Sequence, residues 1–454
     1  MRAGRWLVAA VTTSCGRHRA SAAASVKAFV HPSTRAPLRV RVLAVARRRC
    51  SSTSRPRLLY RGSSRSTTAS SVSMGSVNAN GESWCGHELL NTVTTDWVED
   101  HLGDPEVALV DIRGRVIKHR DEGSDIFSTA YEGLRAEYLD AHIPGAVFVD
   151  WTKLDDPTGV TQKGRGKPPP AVPAFDAFFA SKDIAFTDEN GVPAQLADKE
   201  TFVAAMEERG VGGEKRVVVY DNGDMLFATR FWWAMRRFGH DRVSVMDGGW
   251  AKWQAERRDI TPDCPCPLKV YTDWGIPPER ERPGLVACAA DVRAALDKEQ
   301  TKKKGGQGSG VQLLDARATA QFTGEVRRAR LGGHIPGAVN TPYRAFLVER
   351  ASPEGETFRV FQDLQGIKEV FESAPVDISP SAAPVIAYCN GGVASTVALF
   401  LLFQLRHVGG KHRNGSEAGS AEDGPRGVFE SGAWANYDGS WNEWGNNESS
   451  PVER

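Results

Sequence analysis

The amino-acid sequence predicts an α/β protein built from two domains of the same kind. Two observations lead to this prediction: four short segments occur twice in the same order, and each copy contains short β-branched runs followed by longer apolar segments. The chain has 454 residues, of which 41% are hydrophobic and 25% are charged. That length and composition are sufficient for two globular domains with buried cores.

The repeat consists of four matched pairs of segments. With the first copy given before the second, the pairs are 107–113 and 311–317, 142–146 and 334–338, 217–222 and 385–390, and 246–250 and 437–441. Four matches in one order indicate a duplication. The spacing between segments differs between the copies, and the Gly-rich polar stretches 301–310 and 409–427 are interpreted as inserted loops.

Each copy is expected to form a mainly parallel sheet flanked by helices. The continuous β-branched runs 217–220 and 384–388 are typical of strands that are buried on both faces of such a sheet. The mostly apolar segments 227–238 and 395–406 follow these strands and predict helices.

A proline-rich segment separates the two copies. Residues 258–283 contain six prolines and few periodic apolar residues, which predicts an extended linker. The predicted domains are therefore residues 90–257 and residues 284–447.

Residues 1–80 differ in composition from the rest of the chain. They contain fourteen Arg, one Lys and no acidic residue, which is typical of an organelle transit peptide; a disordered basic tail is the alternative. We predict a mitochondrial location, with a plastid as the alternative. Met74 offers a second start that would give a cytosolic form.

The charge and hydropathy of the remaining chain exclude two classes of partner. After residue 80 the chain has 42 basic and 56 acidic residues, a net charge of −14, which argues against nucleic-acid binding. No run of apolar residues is long enough to span a membrane. We therefore expect neither nucleic acid nor membrane as a partner.

Cys389 is the candidate nucleophile. It ends a predicted strand and precedes a predicted helix, and ligands of parallel α/β sheets bind at the carboxyl ends of strands. Asn390, Gly391 and Gly392 permit a tight loop whose backbone N–H groups face the sulfur, and the helix amino terminus adds partial positive charge. Such an environment stabilises a thiolate, whereas a lone cysteine at a strand end would more often be packing.

The sequence resembles tandem-domain rhodanese sulfurtransferases, which include thiosulfate and 3-mercaptopyruvate sulfurtransferases. The resemblance rests on the paired His-Ile-Pro-Gly-Ala segments, the Asp-Ala-Arg run at 315–325, the Cys-Asn-Gly-Gly-Val-Ala loop and the closing segment 437–444. It implies two rhodanese-like domains with a site in the cleft between them. It also implies a catalytically silent first domain, and Asp221 at the position of Cys389 agrees with this.

The resemblance implies a double-displacement reaction. Cys389 would take a sulfane sulfur from a small anionic donor, thiosulfate or 3-mercaptopyruvate, and pass it from a persulfide to a thiol, cyanide or a thioredoxin-like protein. No metal or organic cofactor is expected. The donor itself stays open, because Gly391 stands where mercaptopyruvate-preferring relatives usually have Ser, and the loop lacks the basic residues common in thiosulfate-preferring ones.

Seven residues are the predicted donor-binding groups: Arg230, His142, Asn390, Gly391, Gly392, Val393 and Ala394. Arg230 has a guanidinium fork that fits a sulfonate or carboxylate, although an arginine on an apolar helix can also be structural. His142 is included because the resemblance implies that the first His-Ile-Pro-Gly-Ala turn lies near the cleft.

Two other functions are compatible with a cysteine loop between a strand and a helix. A protein-tyrosine phosphatase requires an Arg six residues after the cysteine, and Ser395 occupies that position. A catalytically inactive rhodanese-like binding or regulatory module would keep the fold without the chemistry. The presence of Cys389 favours the enzyme.

Overall fold

A computed structural model gives the structure of most of the chain after residue 88. The residues it describes are Leu89, 91–120, 127–151, 185–186, 195–263, 272–303, 310–379, 382–408 and 434–454. The predicted presequence 1–80, most of the loop 301–310 and all of the loop 409–427 lie outside the described residues. Within the described ranges, no helix has both the length and the apolar character needed to cross a bilayer.

The first domain contains a five-stranded parallel sheet with the strand order β1-β9-β8-β2-β5. Its elements are β1 (Thr92–Val93), α1 (Thr95–Asp100), β2 (Val107–Asp111), β3 (Gly114–Arg120), β4 (Phe127–Gly133), α2 (Arg135–Asp140), β5 (Val147–Phe148), β6 (Ala185–Phe186), β7 (Gln195–Leu196), α3 (Lys199–Glu208), β8 (Arg216–Tyr220), α4 (Leu226–Arg237), β9 (Val243–Met246) and α5 (Gly249–Ala255). Strands β3 and β4 form an antiparallel hairpin, and β6 pairs with β7.

The second domain repeats this sheet with the order β10-β16-β15-β11-β12. Its elements are β10 (Val286–Ala287), α6 (Ala289–Lys303), β11 (Gln312–Asp315), α7 (Thr319–Phe322), β12 (Val339–Asn340), β13 (Leu347–Ala351), β14 (Thr357–Phe361), α8 (Leu364–Ser373), β15 (Val385–Tyr388), α9 (Ser395–Val408), β16 (Trp434–Tyr437) and α10 (Ser440–Trp444). Strands β13 and β14 form an antiparallel hairpin. Each strand of one parallel sheet has a counterpart in the other, which confirms the predicted pair of α/β domains.

Alternate side chains of the central strands point into different cores. A single apolar core, here called the shared core, contains residues of both domains, among them Val217, Val219, Trp232, Ala387, Phe400 and Trp434. Two separate outer cores lie on the opposite faces of the sheets and contain Tyr220 and Tyr388, respectively. Because successive residues of a strand face opposite sides, Cys389, which follows Tyr388, points into the shared core.

Helices α4 and α9 bring the two domains together. The Trp232 ring lies edge-on to Phe400 with ring centroids 4.9 Å apart, and it stacks on Trp434 at 5.7 Å. The hydroxyl groups of Thr229 and Thr396 are 3.0 Å apart and join the two helices by a buried hydrogen bond. Apolar residues around most of each helix therefore bury it between the two sheets.

Two equivalent aspartates make reciprocal contacts between the domains. The N–H of Phe361 in β14 donates to Asp247 in the first domain at 3.0 Å. The N–H of Leu196 in β7 donates to Asp438, the counterpart of Asp247 in the second domain, at 2.9 Å. Each domain thus contributes a hairpin strand that covers the end of the other domain's sheet.

The described part of the predicted linker packs on the first domain. Residues Pro278–Arg280 and Pro283–Leu285 form short 3₁₀ turns. Arg282 forms an ion pair with Asp241 at 2.8 Å, and the Trp233 indole N–H donates to the carbonyl of Leu285 at 3.0 Å. The connection is therefore fixed along this stretch by contacts with α4 and the segment that follows it.

Replacing Trp232 by Ala tests whether the shared core joins the domains. The free energy of unfolding is expected to fall by about 3–5 kcal/mol, because a buried indole is removed and a cavity remains. Urea unfolding followed by fluorescence and by far-UV circular dichroism should show one cooperative transition in both proteins. The exposed position Val116 provides the control Val116→Ala, and two separate transitions of which Trp232→Ala shifts only one would contradict the shared core.

Candidate active site

Cys389 follows β15 directly, and its side chain is 2% exposed. The residues between it and α9, 390–394, form the cysteine loop. Gly392 in this loop has a left-handed backbone with φ +71°, and a Cβ there would lie 2.7 Å from the carbonyl oxygen of Asp438. Only glycine fits this turn without strain or displacement.

Ser440 holds the cysteine loop from the segment that follows β16. Its Oγ accepts the N–H of Cys389 at 3.1 Å and the N–H of Gly392 at 2.9 Å, and it donates to the carbonyl of Tyr437 at 2.6 Å. Ser440 itself has φ +50°, which is unusual for a residue other than glycine. The prediction that the Gly392 N–H faces the sulfur is therefore wrong, because this N–H donates to Ser440 Oγ instead.

The equivalent loop of the first domain binds a carboxylate through its backbone N–H groups. The Asp221 carboxylate, at the position of Cys389, accepts four backbone N–H groups at 2.8 to 3.2 Å, those of Gly223, Met225, Phe227 and Ala228. Burial raises the pKa of the Asp221 carboxyl, and these hydrogen bonds oppose the rise. The first-domain loop 221–228, here called the silent loop, is thus an anion-binding loop, or cradle, that is occupied by the domain's own Asp221 carboxylate.

The cysteine loop has the same closing contacts as the silent loop. The Trp250 N–H donates to the carbonyl of Asp221 at 2.8 Å, and the Trp441 N–H donates to the carbonyl of Cys389 at 3.0 Å. Of the four N–H groups that correspond to the silent cradle, that of Thr396 donates to Val393 O at 3.1 Å. The other three belong to Gly391, Val393 and Ser395, and their correspondence with donors to Asp221 makes them the candidate donors to an anion carried on Cys389.

Arg230 reaches the cysteine loop from α4. Its Nη1 donates to the carbonyl of Gly392 at 3.1 Å and forms an ion pair with Asp438 at 2.5 Å, while its guanidinium lies 4.3 Å from the centre of the Trp233 ring. The side chain is buried. Arg230 Nη1 therefore holds the cysteine loop and the Asp438 carboxylate in position, and its predicted role in binding the donor stays a prediction.

His142 is not at the cleft, contrary to the expectation from the sequence. Its side chain is fully buried, its ring stacks on Tyr138 at 4.0 Å, and its Nδ1 lies 2.7 Å from the carbonyl of Tyr138. The next residue, Ile143, belongs to the outer core of the first domain, on the sheet face opposite to the shared core. Burial lowers the pKa of His142, which favours the neutral form of the ring.

The other predicted loop residues contribute in different ways. Asn390 donates from Nδ2 to Gln321 Oε1 at 3.1 Å, and its buried Oδ1 has no hydrogen-bond partner among the described residues. Val393 is buried in the shared core. Ala394 is half-buried at the start of α9 and presents no polar side chain.

Two residues that the sequence did not single out lie in the same electrostatic environment. Burial raises the pKa of the Tyr131 hydroxyl, and the charges that act on it are those of Cys389, Arg230, Asp438 and Arg328. Tyr131 comes from β4, and Arg328 from the segment between α7 and β12. Burial lowers the pKa of Arg328, and the cation remains beside the phenol. We use the word cleft for the region formed by Tyr131, Arg230, Arg328, Cys389 and Asp438.

No metal site is apparent in the described ranges. Within them, no group of three or more His, Cys, Asp or Glu side chains is arranged to hold a metal ion. The hydroxyl of Ser395 lies 3.7 Å from Cys389 Sγ.

The fold and the site define a protein with two α/β domains, of which one carries a buried cysteine in an anion cradle and the other fills its cradle with a carboxylate. The rhodanese-like domain family matches residues 94–256 and 297–447. The chain therefore belongs to the rhodanese family, in its tandem-domain form, and is a sulfurtransferase.

Known relatives share nearly their full length with this chain. The 3-mercaptopyruvate sulfurtransferase of Escherichia coli is 30% identical over 370 residues, which cover 80% of this chain and 97% of the relative. A putative thiosulfate sulfurtransferase of Mycobacterium tuberculosis is 26% identical over 370 residues, covering 80% and 96%. A crystal structure of the Escherichia coli 3-mercaptopyruvate enzyme has 26% identity and a TM-score of 0.50, covering 77% of this chain and 98% of that one.

Replacing Gly392 by Ala tests the geometry of the cysteine loop. The left-handed backbone alone should cost about 1–2 kcal/mol in the free energy of unfolding. The added Cβ should also push Asp438 and the loop apart, so we expect sulfurtransferase turnover to fall by at least about tenfold, as a small displacement of catalytic groups does.

Gly355→Ala is the matched control for this variant. Gly355 also has a positive φ, of +88°, but a Cβ there would meet no atom within 4 Å. It should lose similar stability and keep its turnover. Equal turnover in the two variants would show that the loop geometry is not needed.

Proposed function

We propose that this chain moves a sulfane sulfur from a small anionic donor to an acceptor through a persulfide on Cys389. The observation that carries the proposal is the silent cradle, in which the Asp221 carboxylate accepts four backbone N–H groups. The cysteine loop has the same length and the same closing contacts, and it carries a sulfur where the carboxylate would be. A loop that binds an anion in one copy supports binding of a persulfide anion in the other.

The first half of the reaction loads the cysteine. The Cys389 thiolate attacks the outer sulfur of the donor, a new S–S bond forms, and the donor's bond to that sulfur breaks. Thiosulfate releases sulfite, and 3-mercaptopyruvate releases pyruvate after its enolate takes up a proton. The product is a persulfide whose charge lies on the outer sulfur, within reach of the N–H groups of Gly391, Val393 and Ser395. Fixed dipoles of this kind stabilise developing charge without reorganising.

The charges of the cleft support an anionic donor. Tyr131 supplies a hydroxyl that interacts electrostatically with both Cys389 and the Arg328 cation, and a hydroxyl and a cation both fit the carboxylate of 3-mercaptopyruvate or the oxygens of thiosulfate. Gly391 has no side chain that would favour one donor over the other. The proposal therefore includes both donors, in line with the names of the relatives from Escherichia coli and Mycobacterium tuberculosis.

The second half of the reaction unloads the cysteine. A thiol, cyanide or a thioredoxin-like protein attacks the outer sulfur, and Cys389 leaves as the thiolate. The same dipoles that held the persulfide then surround the regenerated thiolate, so the site returns to its starting state.

Mass spectrometry of the donor-treated protein tests the proposal. After treatment with thiosulfate or 3-mercaptopyruvate, the Cys389 peptide should gain one sulfur atom, and Cys389→Ser should show no gain and no turnover. Cys288 is an exposed free cysteine and serves as the internal control, whose peptide should remain unchanged. Full turnover by Cys389→Ser would contradict the proposal, and absence of the added sulfur with both donors would favour the inactive binding module.

We also propose that residues 1–80 direct the protein to the mitochondrion, with a plastid as the alternative. The support is their composition, with fourteen Arg and no acidic residue. A fluorescent fusion of the full chain should accumulate in the organelle, and a fusion that starts at Met74 should stay in the cytosol. The same distribution for both fusions would rule out a targeting role for the basic segment.

A further inference from the structure

Ser395, the first residue of α9, places a buried hydroxyl beside the reactive sulfur. The Ser395 side chain is fully buried, and its Oγ lies 3.7 Å from Cys389 Sγ, a distance at which sulfur forms hydrogen bonds. The same Oγ lies 2.6 Å from Oδ1 of Asn436 in β16, which is also fully buried. Asn436 is itself held in place, because its Nδ2 donates to the carbonyl of Gly392 at 2.9 Å.

The silent domain lacks this polar pair. When Cys389 is matched with Asp221, Ser395 corresponds to Phe227; when Asp438 is matched with Asp247, Asn436 corresponds to Val245. Phe227 and Val245 are both buried apolar residues. A buried hydroxyl and amide are costly to place in a core unless they are hydrogen-bonded. Their presence in the copy that carries the cysteine, with the Ser395 hydroxyl 3.7 Å from its sulfur, indicates a role in its chemistry.

The hydroxyl of Ser395 has one proton and two neighbouring acceptors. When Cys389 is a thiol, its S–H can donate to Ser395 Oγ while the hydroxyl donates to Asn436 Oδ1. When Cys389 is a thiolate, the hydroxyl can rotate and donate to the sulfur, because a charged acceptor forms the stronger hydrogen bond. Asn436 then loses one hydrogen bond and keeps the bond to Gly392. The pair can therefore follow the charge on Cys389 without moving a heavy atom.

We propose that Ser395 is a catalytic residue that donates a hydrogen bond to Cys389 Sγ whenever that sulfur is a thiolate, with Asn436 as the alternative acceptor. This inference rests on the proposed function of Cys389 as the persulfide carrier. It assigns the greatest effect to the unloading step, in which Cys389 is the leaving group.

The unloading step with cyanide shows where the hydrogen bond acts. The carbon of cyanide attacks the outer sulfur of the persulfide anion, a C–S bond forms, and the S–S bond breaks with its electron pair remaining on Sγ. Thiocyanate leaves and the Cys389 thiolate remains, so no proton, oxidant or reductant is required. Negative charge moves from the outer sulfur to Sγ during this step. A hydroxyl 3.7 Å from Sγ stabilises that charge as it develops.

Single-turnover kinetics of the persulfide-loaded enzyme with cyanide test this role. Ser395→Ala should transfer sulfur about tenfold more slowly than the unchanged protein, the usual scale for one charge-assisted hydrogen bond. Ser244→Ala is the matched control, because it removes another fully buried serine hydroxyl, from β9 of the silent domain. It should transfer sulfur at the unchanged rate.

The pH profile of Cys389 alkylation provides a second readout. We expect Ser395→Ala to move the midpoint for reaction with iodoacetamide upward by about one pH unit, because a tenfold loss of thiolate stabilisation corresponds to that shift. The titratable group that interacts with Cys389 is Tyr131, and the charges of Arg230, Asp438 and Arg328 act on Tyr131 in turn. These four groups are unchanged in the variant, so a shift of the alkylation midpoint measures the loss of the Ser395 hydroxyl.

Asn436→Val removes the competing acceptor together with the hydrogen bond to Gly392, and the proposal predicts a shift opposite in sign to that of Ser395→Ala. Valine is the residue of the silent domain, and its introduction removes the competing acceptor, so the hydroxyl of Ser395 is freed for the sulfur. The alkylation midpoint should then move downward, opposite to its shift in Ser395→Ala. An upward shift in both variants, or a transfer rate of Ser395→Ala within twofold of Ser244→Ala, would overturn the role of Ser395.

The loading of Cys389 distinguishes failure of this inference from failure of the proposed function. All variants are first treated with thiosulfate, and only those whose Cys389 peptide gains one sulfur atom enter the kinetic comparison. If the unchanged protein gains no sulfur with either donor, the persulfide mechanism itself is wrong. If Ser395→Ala loads normally and unloads at the unchanged rate, the persulfide mechanism stands and the role of Ser395 is wrong.

Discussion

The packing of α4 on α9 is the contact on which the active site depends. It places the first domain against the loop that carries Cys389, through the Thr229 and Thr396 hydroxyls and through Arg230. The Arg230–Asp438 ion pair is almost completely removed from water. Breaking one partner of such a pair costs several kcal/mol, because the other charge is left uncompensated. The first domain therefore positions the cysteine loop, while its own loop carries Asp221 at the position that corresponds to Cys389.

Duplication provides an internal comparison of two loops built on one plan. Both loops are closed by a tryptophan N–H, but the silent loop is filled by the Asp221 carboxylate and the other contains Cys389. The matching residues Gly249 and Ser440 both have a left-handed backbone, with φ of +54° and +50°. The serine keeps this conformation at some cost and supplies the Oγ that holds the cysteine loop. The two loops thus share a backbone plan, and a few side-chain differences leave one filled by a carboxylate and the other with a cysteine.

Much of the architecture could be predicted from the sequence. Ordered repeats and buried β-branched runs correctly predicted two parallel sheets, and the Cys389 loop was correctly placed between a strand and a helix. These features depend on local sequence and on the period of the apolar residues, which the chain displays directly.

The sequence could not predict on which face of the sheet a turn lies or which distant segments contact each other. His142 was expected at the cleft, but the sequence does not indicate which face its turn covers, and the structure places it beside the outer core. Tyr131 and Arg328 belong to segments without a motif, and tertiary packing brings Tyr131 into electrostatic contact with both Arg328 and Cys389. Ser440 lies within a recognised segment, yet its hydrogen bonds depend on a backbone conformation that the sequence does not specify.

The most direct test of the account is a crystal structure of the enzyme loaded with sulfur from thiosulfate or 3-mercaptopyruvate. We predict one additional sulfur on Cys389 Sγ, directed into the loop and accepting hydrogen bonds from the N–H groups of Gly391, Val393 and Ser395, as the Asp221 carboxylate does from the equivalent groups of the first domain. An additional sulfur bound to another cysteine, or directed away from these three N–H groups, would contradict it.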